Sequence, residues 1–88
     1  MRFSLVRLED GAGDAGPMCE ILDFESNTSL EGITRPRIGY GVRVGSLFAR
    51  SYSAQDWWQC SPVTEILEES EDYMKFKTRN STYEWKMF

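Results

Sequence analysis

The sequence predicts a mainly β protein, either a small barrel or a strongly curved antiparallel sheet of about five or six strands. One short helical turn is expected near residues 53–58. Three observations lead there. Short segments alternate apolar and polar residues with a period of two, which suits strands buried on one face. No window of helical length keeps a 3.6-residue apolar period. Glycines and prolines fall where bends and turns are needed.

Residues 2–8 read as the first strand, with Phe3 and Leu5 on one side and Arg2 and Ser4 on the other. Glu9 to Pro17 holds Gly11, Gly13 and Gly16 and is expected to be a flexible loop. Met18 to Phe24 is an apolar run with strand character. Residues 25–37, with Gly32 and Pro36, read as a second long, irregular connection. Ile38 to Phe48 predicts a bent or bulged strand, because Gly39, Gly41 and Gly45 interrupt it. Ser53 with Asp56 three residues later has the spacing of a helix cap, hence the turn before Trp57 and Trp58. Val63 to Leu67 is a strand by composition, and Glu68 to Asp72 an acidic turn that guards a hairpin end against stray pairing.

The clearest local signal lies at the C-terminus. Met74, Phe76 and Thr78 alternate with Lys75, Lys77 and Arg79, and Tyr83, Trp85 and Met87 alternate with Thr82, Glu84 and Lys86. A two-residue turn at Asn80-Ser81 sets Met74 opposite Met87, Phe76 opposite Trp85, Thr78 opposite Tyr83 and Lys77 opposite Glu84. The hairpin then has one apolar and one charged face.

Length allows one domain, residues 1–88, with a thin margin of stability that a partner chain or a second copy would widen. There is no histidine, so the usual neutral-pH acid/base group and metal ligand are missing. Cys19 and Cys60 are too few for a four-ligand zinc site and make no disulfide framework. They are expected as reduced, partly buried thiols in a cytoplasmic protein. No apolar run approaches the ~20 residues that span a membrane, and the N-terminus lacks the pattern of a signal peptide.

The net charge of −4 argues against sequence-independent nucleic-acid binding. Charge comes in blocks: residues 35–55 carry four arginines and no acid, and residues 56–72 carry six acids and no base. Such blocks either pair across neighbouring strands or leave patches that steer a charged partner.

Catalysis finds little support. A Ser-His-Asp triad needs a histidine, and either cysteine as nucleophile needs an activating base or a lowered pKa. Glu65 with Glu68, or Glu71 with Asp72, reads as a solvated turn more readily than as an acid/base pair. The glycines at 11, 13 and 16 lack the spacing and the following helix of a dinucleotide fingerprint. No enzyme activity, cofactor or metal is expected.

From Gly39 onward the order of features resembles an SH3-like barrel. Gly41-Val42-Arg43-Val44 leads to a bent segment, a long loop with aromatics, strands separated by an acidic turn, and a closing hairpin. The stretch Phe76-Lys77-Thr78-Arg79-Asn80-Ser81-Thr82-Tyr83 is similar to the ends of small accessory proteins of phages and other mobile elements. The resemblance covers residues 38–88. It implies an inhibitor or sequestering protein acting on a host factor, including defence systems, and it brings no catalytic residue.

The candidate binding residues are Tyr52, Trp57 and Trp58 beside Arg43 and Arg50, with Arg35 and Arg37 nearby in sequence. Adjacent tryptophans cannot easily share one core, so one of them should reach the surface. Trp, Tyr and Arg dominate binding hot spots. The leading expectation is a non-catalytic protein-binding domain. Two alternatives compete with it: capture of a small anion such as a nucleotide by clustered arginines and an aromatic, and a nucleic-acid-binding barrel that stacks bases.

Overall fold

The computed structural model describes residues 1–46 and 56–88. Among them the chain forms β1 (Phe3–Arg7), β2 (Gly13–Gly16), β3 (Met18–Asp23), β4 (Thr28–Ser29), β5 (Gly41–Ser46), β6 (Asp56–Cys60), β7 (Glu65–Glu69), β8 (Tyr73–Lys77) and β9 (Thr82–Met87). These make two antiparallel sheets, in the orders β2-β1-β9-β8-β7 and β4-β3-β5-β6. The mainly β, antiparallel reading stands. The closed barrel does not, because each sheet keeps two open edges and the strands outnumber the expected five or six.

The helical turn also needs correction. Asp56, Trp57 and Trp58 belong to β6 and pair with Ser46, Gly45 and Val44 of β5. A capping pattern contributes only about 1 kcal/mol, and a ladder of long-range partners along β5 outweighs it. Residues 53–55, the rest of that turn, lie outside the described residues, as do Arg50 and Tyr52.

The core forms where the two sheets face each other. Phe3 and Leu5 of β1, Tyr83 and Trp85 of β9, and Met74 and Phe76 of β8 meet Cys19 and Ile21 of β3, Val42 and Val44 of β5, and Cys60 of β6. Each set alternates along its strand, so the period of two decides which residues go inside. Phe76 stacks on Tyr83 at 5.7 Å between ring centroids, and Phe3 lies 6.2 Å from Trp85.

Residues 9–17 are not a loop throughout. Gly13–Gly16 pairs with β1, Phe3 opposite Gly16 and Val6 opposite Gly13. The Asp10 carboxylate closes the connecting turn, accepting from the Ala12 N–H at 3.0 Å and from the Arg7 guanidinium. That pair holds Asp10 down at about 2, the Arg7 hydrogen bond being the main cause. Glycine in β2 has a packing reason: a Cβ on Gly16 would collide with the backbone of Gly45 where β2 crosses β5, and Gly45 itself has φ 149°. Gly16→Ala is therefore expected to destabilise the fold by about 1–3 kcal/mol, as overpacking does, read as a lower urea midpoint.

The C-terminal hairpin forms in a register two residues from the expected one. Met74 faces Trp85, Phe76 faces Tyr83 and Lys75 faces Glu84. Among the described residues only Asn27 is a non-glycine at positive φ, so Asn80 does not make the two-residue turn. Residues 78–81 form the connection instead, with the Thr78 N–H donating to the Ser81 carbonyl at 2.8 Å. A slip of two keeps every side chain on its face. The N-terminal strand then joins this hairpin, Leu5 opposite Trp85, which places both chain ends mid-sheet.

The charge blocks pair across strands. Glu65 and Glu68 of β7 stand opposite Lys77 and Lys75 of β8, and a bulge between Ile66 and Glu68 blunts this acidic outer edge. No helix among the described residues is long and apolar enough to cross a membrane.

Candidate binding surface

The solvent side of the second sheet is built from three cross-strand rows. Leu22 lies beside Gly41, Glu20 beside Arg43 and Gln59, and Met18 beside Gly45 and Trp57. Val42, Val44 and Cys60 alternate to the other side and are buried in the core. Gly41 leaves room for the Phe24 ring, since a Cβ there would come within 2.5 Å of it. Leu22, buried under this cover, stays outside the core cluster.

Arg43 is the centre of the surface. Its Nε and Nη2 donate to Gln59 Oε1 at 3.0 and 2.8 Å, and Nη1 reaches Glu20 Oε1 at 3.4 Å. The guanidinium carbon sits 4.4 Å from the Trp57 ring centroid, inside the range of a cation–π contact. Each Arg43 partner fixes the plane of the guanidinium, so Trp57 is held in one orientation without being buried.

The two tryptophans part company because successive strand residues point to opposite faces. Trp57 lies on the Arg43 side. Trp58, opposite Val44, packs against the core and carries the Arg7 guanidinium 5.1 Å above its ring. Of the expected pair, then, Trp57 turns to the outer face and Trp58, partly buried, packs against the core.

Arg35 and Arg43 do not converge. Arg35 reaches the β7–β8 turn, where its Nε and Nη2 donate to Glu69 Oε2 at 3.3 and 3.2 Å and its Nη1 to the Glu71 carbonyl at 2.8 Å. Nη2 also donates to the Ser70 carbonyl, and the guanidinium covers the Trp85 ring at 5.7 Å. Arg35 is thus a clasp between the 30–37 segment and the first sheet. Arg37 is exposed, and its guanidinium makes no hydrogen bond or ion pair among the described residues. Arg50 and Tyr52 fall outside those residues; of the expected cluster, the described residues bring Arg43 and Trp57 together.

Cys19 and Cys60 are buried free thiols. Cys19 pairs with Val44 and Cys60 with Val42 on opposite flanks of β5. Two strand spacings amount to about 10 Å, beyond the ~7 Å Cα reach of a disulfide. The Cys19 thiol donates to the Thr34 carbonyl at 3.0 Å. Burial pushes Cys19 up to about 12 and Cys60 up to about 11, the wrong direction for a nucleophile at neutral pH. Both thiols hold their protons more tightly in the folded state, so their stabilising contribution is complete below pH 9 and declines above it. We expect unfolding free energy to fall from pH 9 up to about 11 for Cys60 and about 12 for Cys19, at most about 1.4 kcal/mol per pH unit for each thiol. Urea titrations at stepped pH, with Cys19→Ser and Cys60→Ser as controls, check this.

Among the described residues no group of three or more Cys, Asp or Glu is placed to hold a metal ion. Sequence reading missed Glu20, Gln59, Met18 and Phe24 as members of the surface. The alternation along residues 18–24 put Glu20 and Leu22 on one face, but only the pairing of β3 with β5 brings that face to Arg43. The chain matches no protein-family model, no curated protein and no solved structure.

Proposed function

We propose that the chain is a non-catalytic protein-binding domain that engages its partner through the outer face of β3, β5 and β6. The observation that carries this reading is Trp57, set on the solvent side by strand register and clamped under Arg43 at 4.4 Å. A large ring fixed before binding loses little conformational freedom on contact, which is how Trp and Arg anchors contribute most of an interface's energy. The cross-strand neutralisation of the charged blocks leaves the surface mixed in sign and suited to a protein more than to a polyanion. Arg35 reaches the β7–β8 turn and Arg43 the outer face of β5, so these two arginines share no pocket for an anionic ligand, which favours a protein partner. The likeness of residues 76–83 to the ends of small accessory proteins of phages and other mobile elements is the ground for reading the partner as a host factor and the chain as its inhibitor.

Native mass spectrometry of the protein isolated from its own cellular setting tests the reading. A protein partner at fixed stoichiometry is expected. A small anionic adduct with no protein would overturn it in favour of ligand capture.

A further inference from the structure

Phe24 and Ile38 are 43% and 59% exposed, and the fold sets both along one groove. The groove encloses about 410 Å³, with Asp23, Glu25, Tyr40 and Pro62 completing its walls. Its backbone is fixed on both sides. Gly39 N–H donates to the Val63 carbonyl at 2.8 Å and Val63 N–H to the Tyr40 carbonyl at 2.9 Å, while Ile38 bridges Val63. Opposite them, Asp23 Oδ1 accepts the Glu25 N–H at 3.0 Å, and the Phe24 ring rests on Gly41. Structured backbone therefore holds two large apolar side chains out in water along one groove.

The lining carries two carboxylates and neither lysine nor arginine. The ion pairs among the described residues are Arg7–Asp10, Arg35–Glu69 and Arg43–Glu20, so neither Asp23 nor Glu25 has a cationic partner among those residues. A purely apolar occupant would bury both charges without a partner, at high cost. An acidic occupant would be repelled. A cation set between apolar groups satisfies both walls.

We propose that this groove docks an extended segment of the partner protein bearing a lysine or arginine flanked by apolar side chains. The apolar groups cover Phe24, Ile38 and Tyr40, and the cation meets Asp23 and Glu25. The proposal rests on the protein-binding reading and names the chemistry of the partner. Phe24 borders both this groove and the surface around Arg43, so one segment reaches both.

The test is a titration of the isotopically labelled protein, followed by amide resonances, with the capped peptide Leu-Lys-Ile-Arg-Leu. The acidic peptide Leu-Glu-Ile-Glu-Leu is the control. Shifts confined to residues 23–25 and 38–40 are expected, with roughly tenfold weaker binding in Asp23→Asn/Glu25→Gln and weakening as salt screens the charges. Absence of those shifts at millimolar peptide, equal response to the acidic peptide, or undiminished binding by the double variant would each overturn the proposal. Concentration-dependent broadening of the same resonances without peptide would assign the groove to a second copy and overturn it too. Trp57→Ala separates the two readings. If it abolishes partner binding while the basic peptide leaves residues 38–40 unmoved, the binding domain stands and this groove fails. If the peptide binds but the partner ignores Trp57→Ala, the groove stands and Trp57 is not the anchor.

Discussion

Trp85→Ala unfolds the domain under native conditions, or leaves it so weakened that its urea transition starts at zero denaturant. Trp85 is the largest fully buried side chain, 1% exposed, with Leu5 and Met74 beside it on neighbouring strands. Phe3 packs on one side of it and the Arg35 guanidinium on another. Truncating such a ring costs about 3–5 kcal/mol. A domain of this length has roughly 4–13 kcal/mol in total, so the change removes most of the margin at the lower end. The position also joins the N-terminal strand, the C-terminal hairpin and the 30–37 segment, leaving little scope for local collapse. Trp85→Phe should cost markedly less. The indole N–H it removes has no nitrogen or oxygen partner among the described residues, so no hydrogen bond of that kind is lost. Urea unfolding of both variants, followed by circular dichroism, distinguishes them.

Trp57→Ala has the opposite signature. The fold loses a surface stack with Arg43, about 0.5–1 kcal/mol at an exposed site, and the midpoint of thermal unfolding moves by no more than about 4–8 °C. Partner affinity falls by at least about 2 kcal/mol, roughly thirtyfold, as expected of a central tryptophan anchor. Arg43→Ala should reproduce part of that loss, because the guanidinium holds the ring in place.

Much of the strand content was legible in local alternation, most clearly around Phe76 and Trp85. Which strand pairs with which was not, because nothing within β1 announces that Leu5 will stand opposite Trp85. The hairpin at residues 78–81 shows the limit of turn chemistry. Asn80 tolerates positive φ, yet the longer connection wins, and the apolar face survives because the slip is even. The glycines at 13 and 16 read as loop because local propensity cannot register a backbone close at hand, that of Leu5 against Gly13 and of Gly45 against Gly16. At the candidate site, alternation alone separates Trp57 from Trp58 once residues 56–60 are known to be a strand. The capping pattern at Ser53 and Asp56 concealed that strand. Arg35 looked like part of a binding cluster because its contacts with Glu69 and Glu71 span more than thirty residues of sequence.

The two adjacent tryptophans separate partner binding from packing. Affinity for the co-purified partner and the melting temperature should be measured on the same preparations of Trp57→Ala and Trp58→Ala. Trp57→Ala is expected to lose affinity and keep its fold, while Trp58→Ala loses thermal stability first. A Trp57→Ala protein that unfolds, or that binds its partner as tightly as the parent chain, would contradict it.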